Sequence, residues 1–303
     1  MKKLTNYLSL VKFSHTIFAL PFALTGFFLG VRGISDFQGD DKSVWTSSVD
    51  YLSKNYDLFV YVLLCMVFAR SAAMAFNRYL DREFDAINPR TAIREIPRGV
   101  ISPAAALRFT ILNSVLFTVA AGMINITCLY LSPVALLVVL GYSYTKRFTP
   151  LCHLVLGVGL ALAPVGAFIA VTEQANAGII VLSIAVACWV SGFDIIYALQ
   201  DEQFDKTQGL KSIPTLLGPA YSLLVSKVLH IITSVCIITS GMLFDMHWLY
   251  FTGSALFALM LIWQHKLVKP NDLSKVNMAF MTTNGLASIF FSIAAVLDLF
   301  LLN

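Results

Sequence analysis

Uncharged apolar stretches of membrane-spanning length follow one another along almost the whole chain, and they constrain its fold more than any other feature. A helix needs about 20 mainly apolar residues to cross the hydrocarbon core of a bilayer. Such runs are read at roughly 14–32, 57–77, 104–124, 126–144, 153–171, 177–200, 221–244, 248–264 and 278–301, each interrupted by charge or by Pro and Gly. None alternates polar and apolar residues as barrel strands do. The reading is an all-α integral membrane protein of about nine transmembrane helices, with residues 1–303 as a single polytopic domain. Composition agrees, with 58% hydrophobic and only 13% charged residues. A typical soluble domain carries roughly 25% charge, most of it outside. So little charge excludes an ordinary soluble enzyme, a disordered chain and a nucleic-acid binder.

The basic residues orient the chain. One side collects Lys2, Lys3, Lys12, Arg78, Arg82, Arg90, Arg94, Arg98, Lys146, Arg147, Lys206, Lys211, Lys266, Lys269 and Lys275, which is fifteen of the 21 Lys and Arg residues. The other side holds Arg32, Lys42 and Lys54, while Arg70, Arg108 and Lys227 fall within or at the ends of spans. Cytoplasmic loops are enriched in Lys and Arg, so the N-terminus is expected in the cytoplasm and the C-terminus outside. The start Met1-Lys2-Lys3 leads to no cleavage-site pattern, and the first span is expected to be retained. The five cysteines show no CxxC spacing and read as small apolar residues in helix contacts. The five histidines show no ligand spacing and receive no role.

The acidic residues carry the functional signal. Asp36, Asp40, Asp41 and Asp50 fall in the connection 33–56, read as a solvated loop. On the basic side, span two ends in Asn77-Arg-Tyr-Leu-Asp81-Arg-Glu-Phe-Asp85, and span six in Tyr197-Ala-Leu-Gln-Asp201-Glu-Gln-Phe-Asp205. These are two DxxxD pairs, each preceded by a polar side chain four residues earlier. They form two pseudo-repeats with motif helices near 57–85 and 177–205. On a helix, residues i, i+4 and i+8 share one face, and like charges there repel. Solvation is poor at a membrane edge, so paired carboxylates call for a compensating cation. Hard oxygen donors suit Mg²⁺, which takes one or two carboxylates together with water and substrate phosphates. Facing DxxxD ends could clamp a diphosphate through Mg²⁺.

Basic residues follow both motifs: Arg90, Arg94 and Arg98 after the first, and Lys206 and Lys211 after the second. Lys146 and Arg147 sit between spans four and five, beyond Tyr142 and Tyr144. Arg binds phosphate oxygens in bidentate fashion and Lys acts as a point charge. Asp194 lies seven residues before Asp201, on the motif's face but deeper, and Arg70 occupies the matching place before Asn77. A carboxylate at that depth is expected either to pair with Arg70 or to line a cavity.

With both motifs in hand, the chain resembles the UbiA-type membrane-embedded prenyltransferases. The family's first motif is matched by Asn77, Asp81 and Asp85, and its second by Tyr197, Asp201 and Asp205 after Asp194. Tyr144-Thr-Lys-Arg-Phe-Thr149 is similar to its basic loop. The likeness runs from Phe13-Ser-His-Thr-Ile-Phe-Ala-Leu-Pro21 through the ninth span. Asn77-Arg-Tyr-Leu-Asp-Arg82, Asn88-Pro-Arg-Thr91 and Ile195-Ile-Tyr-Ala-Leu-Gln-Asp201 look most like the 4-hydroxybenzoate polyprenyltransferase branch, including its menaquinone-pathway relatives. Some members carry an Asp directly after the motif's Asn, where Arg78 stands here.

The resemblance implies a helix bundle around a central cavity with a lateral opening to lipid. It also implies a Mg²⁺-dependent enzyme of ubiquinone or menaquinone biosynthesis in a bacterial-type inner membrane. A polyprenyl diphosphate has a charged head and a long hydrocarbon tail, which suits an ionic site at the membrane edge above an apolar channel. Asn77, Asp81, Asp85, Asp201 and Asp205 are expected to hold Mg²⁺ on the diphosphate. Arg82, Arg94, Lys146 and Lys211 would help stabilise the leaving group, and Tyr197 contributes to substrate binding. Asp194 joins the four motif aspartates as a catalytic candidate. Arg147 is the candidate for the carboxylate of a small aromatic acceptor. No protein partner is evident. Two other readings stay open: a relative with another acceptor (haem, chlorophyll or lipid), and a secondary transporter, since intramembrane charge and internal repeats also mark transport paths.

Overall fold

The computed structural model describes residues 2–11, 18–38 and 44–302. Lys12, His15, Asp40, Asp41 and Lys42 lie outside the described residues, as do 14–17 of the first expected span. The described residues form no strand, only an isolated bridge between Lys269 and Asp272. The helices are α1 (Lys2–Leu10), α2 (Leu20–Gln38), α3 (Val44–Lys54), α4 (Tyr56–Leu80), α5 (Arg82–Ile87), α6 (Pro103–Ile124) and α7 (Ile126–Thr145). They continue as α8 (Cys152–Thr172), α9 (Ala177–Ala198), α10 (Glu202–Thr207), α11 (Ile213–Leu243), α12 (Trp248–Leu267), α13 (Val276–Met278) and α14 (Asn284–Leu301).

Helices occupy the described part of each expected stretch, and seven of the described segments are long and apolar enough to cross a membrane. These are Tyr56–Leu80, Pro103–Ile124, Ile126–Thr145, Cys152–Thr172, Ala177–Thr207, Ile213–Leu243 and Val276–Leu301. The first expected span has its described apolar part in Leu20–Ile34, which is shorter. The eighth, α12, is diluted by Gln264, His265 and Lys266 in its last turn. The connection read as a solvated loop contains α3, whose Tyr51 and Leu52 pack onto the cluster built around Phe27 and Val62. The alternation of apolar and polar residues over its few turns is too short to stand out from a loop.

The seventh apolar run starts at 221, yet α11 begins at Ile213. Ser212 accepts from the Thr215 amide (3.2 Å) and Thr215 Oγ1 accepts from the Ser212 amide (2.8 Å), a reciprocal cap. Within this helix Gly218 takes φ 74° before Pro219, so the first turn is kinked off the membrane segment.

The core centres on α9, whose Trp189 lies among Phe22, Phe193 and Phe257 at ring separations of 5.1–5.5 Å. The indole N–H donates to Asn284 Oδ1 (3.0 Å), and Asn284 Nδ2 returns to the Ala279 carbonyl (3.1 Å) within the π-helical turn Ala279–Thr283. Lipid is as apolar as these side chains, so association rests on close packing and hydrogen bonds rather than on hydrophobic transfer. Gly157 shows the closeness: a Cβ there would sit 2.2 Å from Ser191 Oγ and 2.3 Å from the Ala187 carbonyl. Ile111, Val119, Leu137 and Val235 stay exposed on the outside of the bundle, as lipid-facing side chains do.

Candidate active site at the acidic helix ends

Both acidic motifs lie where a long helix breaks. Asp81 caps α4 with φ −91° and ψ 8°, and α5 restarts at Arg82. In the second motif, α9 tightens into a 3₁₀ turn at Leu199–Asp201 before α10. The continuous helix that would give each motif one shared face is therefore interrupted at the first aspartate of each pair. The backbone ladder survives at the first break, since the Asp81 amide donates to Asn77 O (3.0 Å) and the Asp85 amide to Asp81 O (2.8 Å). Asn77 Nδ2 donates to Asp81 Oδ2 (3.1 Å).

Each of the four motif carboxylates has one basic partner. Asp81 pairs with Arg147 (3.0 Å), Asp85 with Arg94 (2.5 Å) and Asp205 with Lys146 (2.7 Å). Asp201 receives both Nε and Nη2 of Arg90, the Nε bond being 2.9 Å, together with Asn88 Nδ2 (3.2 Å). These pairs place the two motifs together. Consecutive residues Lys146 and Arg147 each reach a carboxylate of a different motif, and Arg90, from the loop after the first motif, grips the second. Arg90 Nη1 also donates to Tyr197 Oη (2.9 Å), and the Tyr197 ring packs at a tilt, 4.3 Å from that of Phe280 within the π-turn.

Burial makes these charges consequential. Asp85 and Asp205 are 4% and 1% exposed. The second oxygen of Asp85, Oδ2, is buried without a hydrogen-bond partner. Burial pushes the Asp81 carboxyl above its ordinary value, against the opposing pull of Arg147. Arg90 goes up despite its burial, because Asp201 holds its charge. The donors suit a hard cation: every side-chain group offered is a carboxylate or amide oxygen, and Asp85 Oδ2 is orphaned. Among the described residues no three His, Cys, Asp or Glu side chains converge as a ready-made metal cluster.

The other sequence candidates take varied places. Lys211 donates its amide to the Lys146 carbonyl (2.7 Å) and its ammonium to Phe148 O (3.3 Å), fixing the basic loop. Arg147 bonds the Ser143 (3.0 Å) and Leu80 (3.1 Å) carbonyls besides Asp81, so it ties two helix ends together. Arg82 turns to Glu83 (3.1 Å) and the Tyr79 carbonyl (2.8 Å) and joins none of the four pairs. Asp194 pairs with His153 Nδ1 (2.7 Å), a histidine to which the sequence assigns no role. No spacing rule links positions 41 residues apart on separate helices. A polar residue at the start of span five is the one available hint. Arg90 and the Asn88-Pro-Arg-Thr91 stretch stand out in the sequence, but not their bonds to Asp201.

Below the motifs lies a largely apolar cavity of about 440 Å³ between α4, α6, α7 and α8. Arg70, Met74 and Tyr142 line it, and Met74 is less than one helical turn from Asn77. The first motif thus begins within one helical turn of a hydrocarbon-lined space, an arrangement that suits a diphosphate bearing a long tail.

Comparison with known proteins agrees with this geometry. The chain is 30% identical over 238 residues to a 4-hydroxybenzoate octaprenyltransferase of Photobacterium profundum, covering 78% of this chain and 82% of that one. The fold superposes on the apo structure of a UbiA homolog from Aeropyrum pernix K1 with a TM-score of 0.77 and 29% identity, covering 94% and 98% of the two chains. It also superposes on a UbiA homolog from Archaeoglobus fulgidus bound to DMAPP and Mg²⁺, with a TM-score of 0.72, 20% identity, and 97% and 99% of the chains covered. Residues 19–292 match the UbiA prenyltransferase family, and the chain is a multi-pass membrane protein belonging to that family.

Proposed function

We propose that this enzyme transfers a polyprenyl group from a polyprenyl diphosphate to an aromatic acid, 4-hydroxybenzoate or a close relative, in quinone biosynthesis. The observation that carries the reading is the set of four carboxylate–cation pairs tying the two acidic helix ends together above an apolar cavity. The name of the Photobacterium relative supports the acceptor class, and the Mg²⁺ bound to the Archaeoglobus homolog supports the metal.

Asn77, Asp81, Asp85, Asp201 and Asp205 would hold Mg²⁺. When bound, Mg²⁺ supplies neutralisation of the negative charge that builds on the leaving diphosphate. The ion pairs make such a site ready for exchange. Arg90, Arg94 and Lys146, released from their carboxylates, turn to phosphate oxygens and stabilise the same charge. The cavity receives the first part of the tail and keeps water from the allylic carbon as its C–O bond breaks. Tyr197, packed on Phe280 and bonded to Arg90, holds that arginine at the second motif. An acceptor ring carbon then bonds to the allylic carbon. Asp194, seven residues before Asp201 and paired with His153 (2.7 Å), is the carboxylate assigned here to take the ring proton. Arg147, with three bonds to helix ends and Asp81, positions Asp81 in this scheme. The Lys and Arg distribution supports a site on the cytoplasmic face of a bacterial-type inner membrane.

The test is prenylation by the full chain in membranes, supplied with one polyprenyl diphosphate and a panel of aromatic acids. Prenyl transfer to 4-hydroxybenzoate or another hydroxylated aromatic acid is the expected result. Products confined to haem-, chlorophyll- or lipid-type acceptors would refute the acceptor class.

A further inference from the structure

The cleft between α11 and α12 lies apart from the acidic site and contains the intramembrane lysine that the active-site chemistry leaves unexplained. It has a volume of about 330 Å³ and is lined by Leu223, Leu224, Lys227, His265, Val268 and Lys269, among others. Chain direction gives its depth. Helix α11 leaves the motif side at Ser212 and α12 returns to that side at Leu267. His230 of α11 meets His265 of α12 at 2.9 Å, which sets the two helices in register. Lys227 lies three residues nearer the motif side than His230, and Lys269 stands two residues beyond the motif-side end of α12. Both ammonium groups therefore lie at the membrane-surface end of the cleft.

Leu224, Val228 and Ile231 around Lys227 are exposed at 54%, 48% and 64%, so this face of α11 looks into lipid. A lysine there is costly unless its head reaches the interface or an anion. No carboxylate lines the cleft, and neither ammonium makes an ion pair or hydrogen bond with a described residue. The closest acid in sequence, Asp272, is outside the cleft lining, and its Oδ1 accepts from the Ser274 hydroxyl (2.6 Å) and amide (3.0 Å).

The cleft wall holds a third group in need of a partner. His230 Nε2 faces the Trp189 carbonyl (3.3 Å) and so carries its hydrogen there. His230 Nδ1 then accepts from His265 Nε2. His265 Nδ1 is left as a buried acceptor without a partner. Two lysines on one cleft, with no acid in its lining, match a phosphate group. We infer that this cleft binds a phosphate anion at the lipid boundary, the ligand class being the headgroup of an anionic phospholipid such as phosphatidylglycerol.

The test uses the full chain in neutral detergent with short-chain phosphatidylglycerol, phosphatidylcholine and inorganic phosphate as separate probes. The variants are Lys227→Gln/Lys269→Gln and Lys227→Arg/Lys269→Arg. Wild type should bind phosphatidylglycerol more tightly than phosphatidylcholine. The Gln pair should lose about fivefold per lysine, roughly thirtyfold in all, and the Arg pair should retain binding. Release of diphosphate should be unchanged in both variants, which verifies their fold. Lysine-dependent binding of inorganic phosphate at comparable affinity would support the site while assigning it to a soluble phosphate. Equal binding of phosphatidylglycerol by wild type and the Gln pair, or no preference over phosphatidylcholine in wild type, would overturn the inference.

Discussion

Replacing Lys146 by Met tests whether the basic residues stand in for the metal. Lys146 sits 2.7 Å from Asp205, which is 1% exposed, while Lys146 itself is 33% exposed. Met keeps most of the volume and removes the charge. Breaking a fully buried pair costs about 3–5 kcal/mol because the remaining charge is stranded. The solvent access of Lys146 reduces this to about 2 kcal/mol. For a chain of this size that corresponds to a melting temperature lower by about 3 °C. The assay is thermal unfolding in detergent, first with a chelator and then with Mg²⁺ plus pyrophosphate. The variant should melt earlier than wild type in chelator and recover more than half the difference when metal and pyrophosphate are added, because a bound cation replaces the lost one at Asp205. Equal melting of variant and wild type in chelator would refute the claim that Lys146 neutralises a buried carboxylate. An undiminished gap with Mg²⁺ and pyrophosphate would refute the exchange of lysine for metal.

Other expectations follow from the same contacts. Arg90→Gln removes the bridge to Asp201 and Tyr197, and losing charge-assisted bonds of about 1.5–3 kcal/mol should lower kcat/KM by roughly 10- to 100-fold. Burial raises the Asp81 carboxyl above its ordinary 3.8. The folded protein therefore holds an extra proton between 3.8 and that raised value, and stability falls as pH rises through this window. A metal must displace the same proton, so Mg²⁺ affinity should increase with pH across it, and Asp81→Asn should flatten the dependence seen by calorimetry. Gly157→Ala forces a methyl against Ser191 and Ala187 and should destabilise the α8–α9 contact by about 1–3 kcal/mol, visible as a lower melting temperature.

Much of the site is legible in the sequence because bilayers make charge scarce. Asp81, Asp85, Asp201 and Asp205 stand out where apolar runs end, and their spacing announces a shared role. Their geometry is less legible. A helix reading of DxxxD keeps the face continuous, whereas the breaks at Asp81 and Leu199–Asp201 depend on loops that arrive from elsewhere in the fold. Spacing alone points to a metal as the compensating cation. In the structure Arg90, Arg94, Lys146 and Arg147 fill that place, a pairing set by which loops meet and not by local pattern. Helical register offers Asp194 either Arg70 or the cavity, but register cannot see His153 on the neighbouring helix. The kink at Gly218-Pro219 is readable, since a Gly before Pro seldom continues a helix.

Metal-dependent prenyl transfer at the paired acidic helix ends is tested most directly by release of diphosphate from a polyprenyl diphosphate. The assay uses membranes containing the full chain, with 4-hydroxybenzoate present. Release should require Mg²⁺, stop with a chelator, and be lost in both Asp81→Ala and Asp201→Ala. Release that persists at wild-type rate in either variant, or without divalent metal, would contradict this assignment.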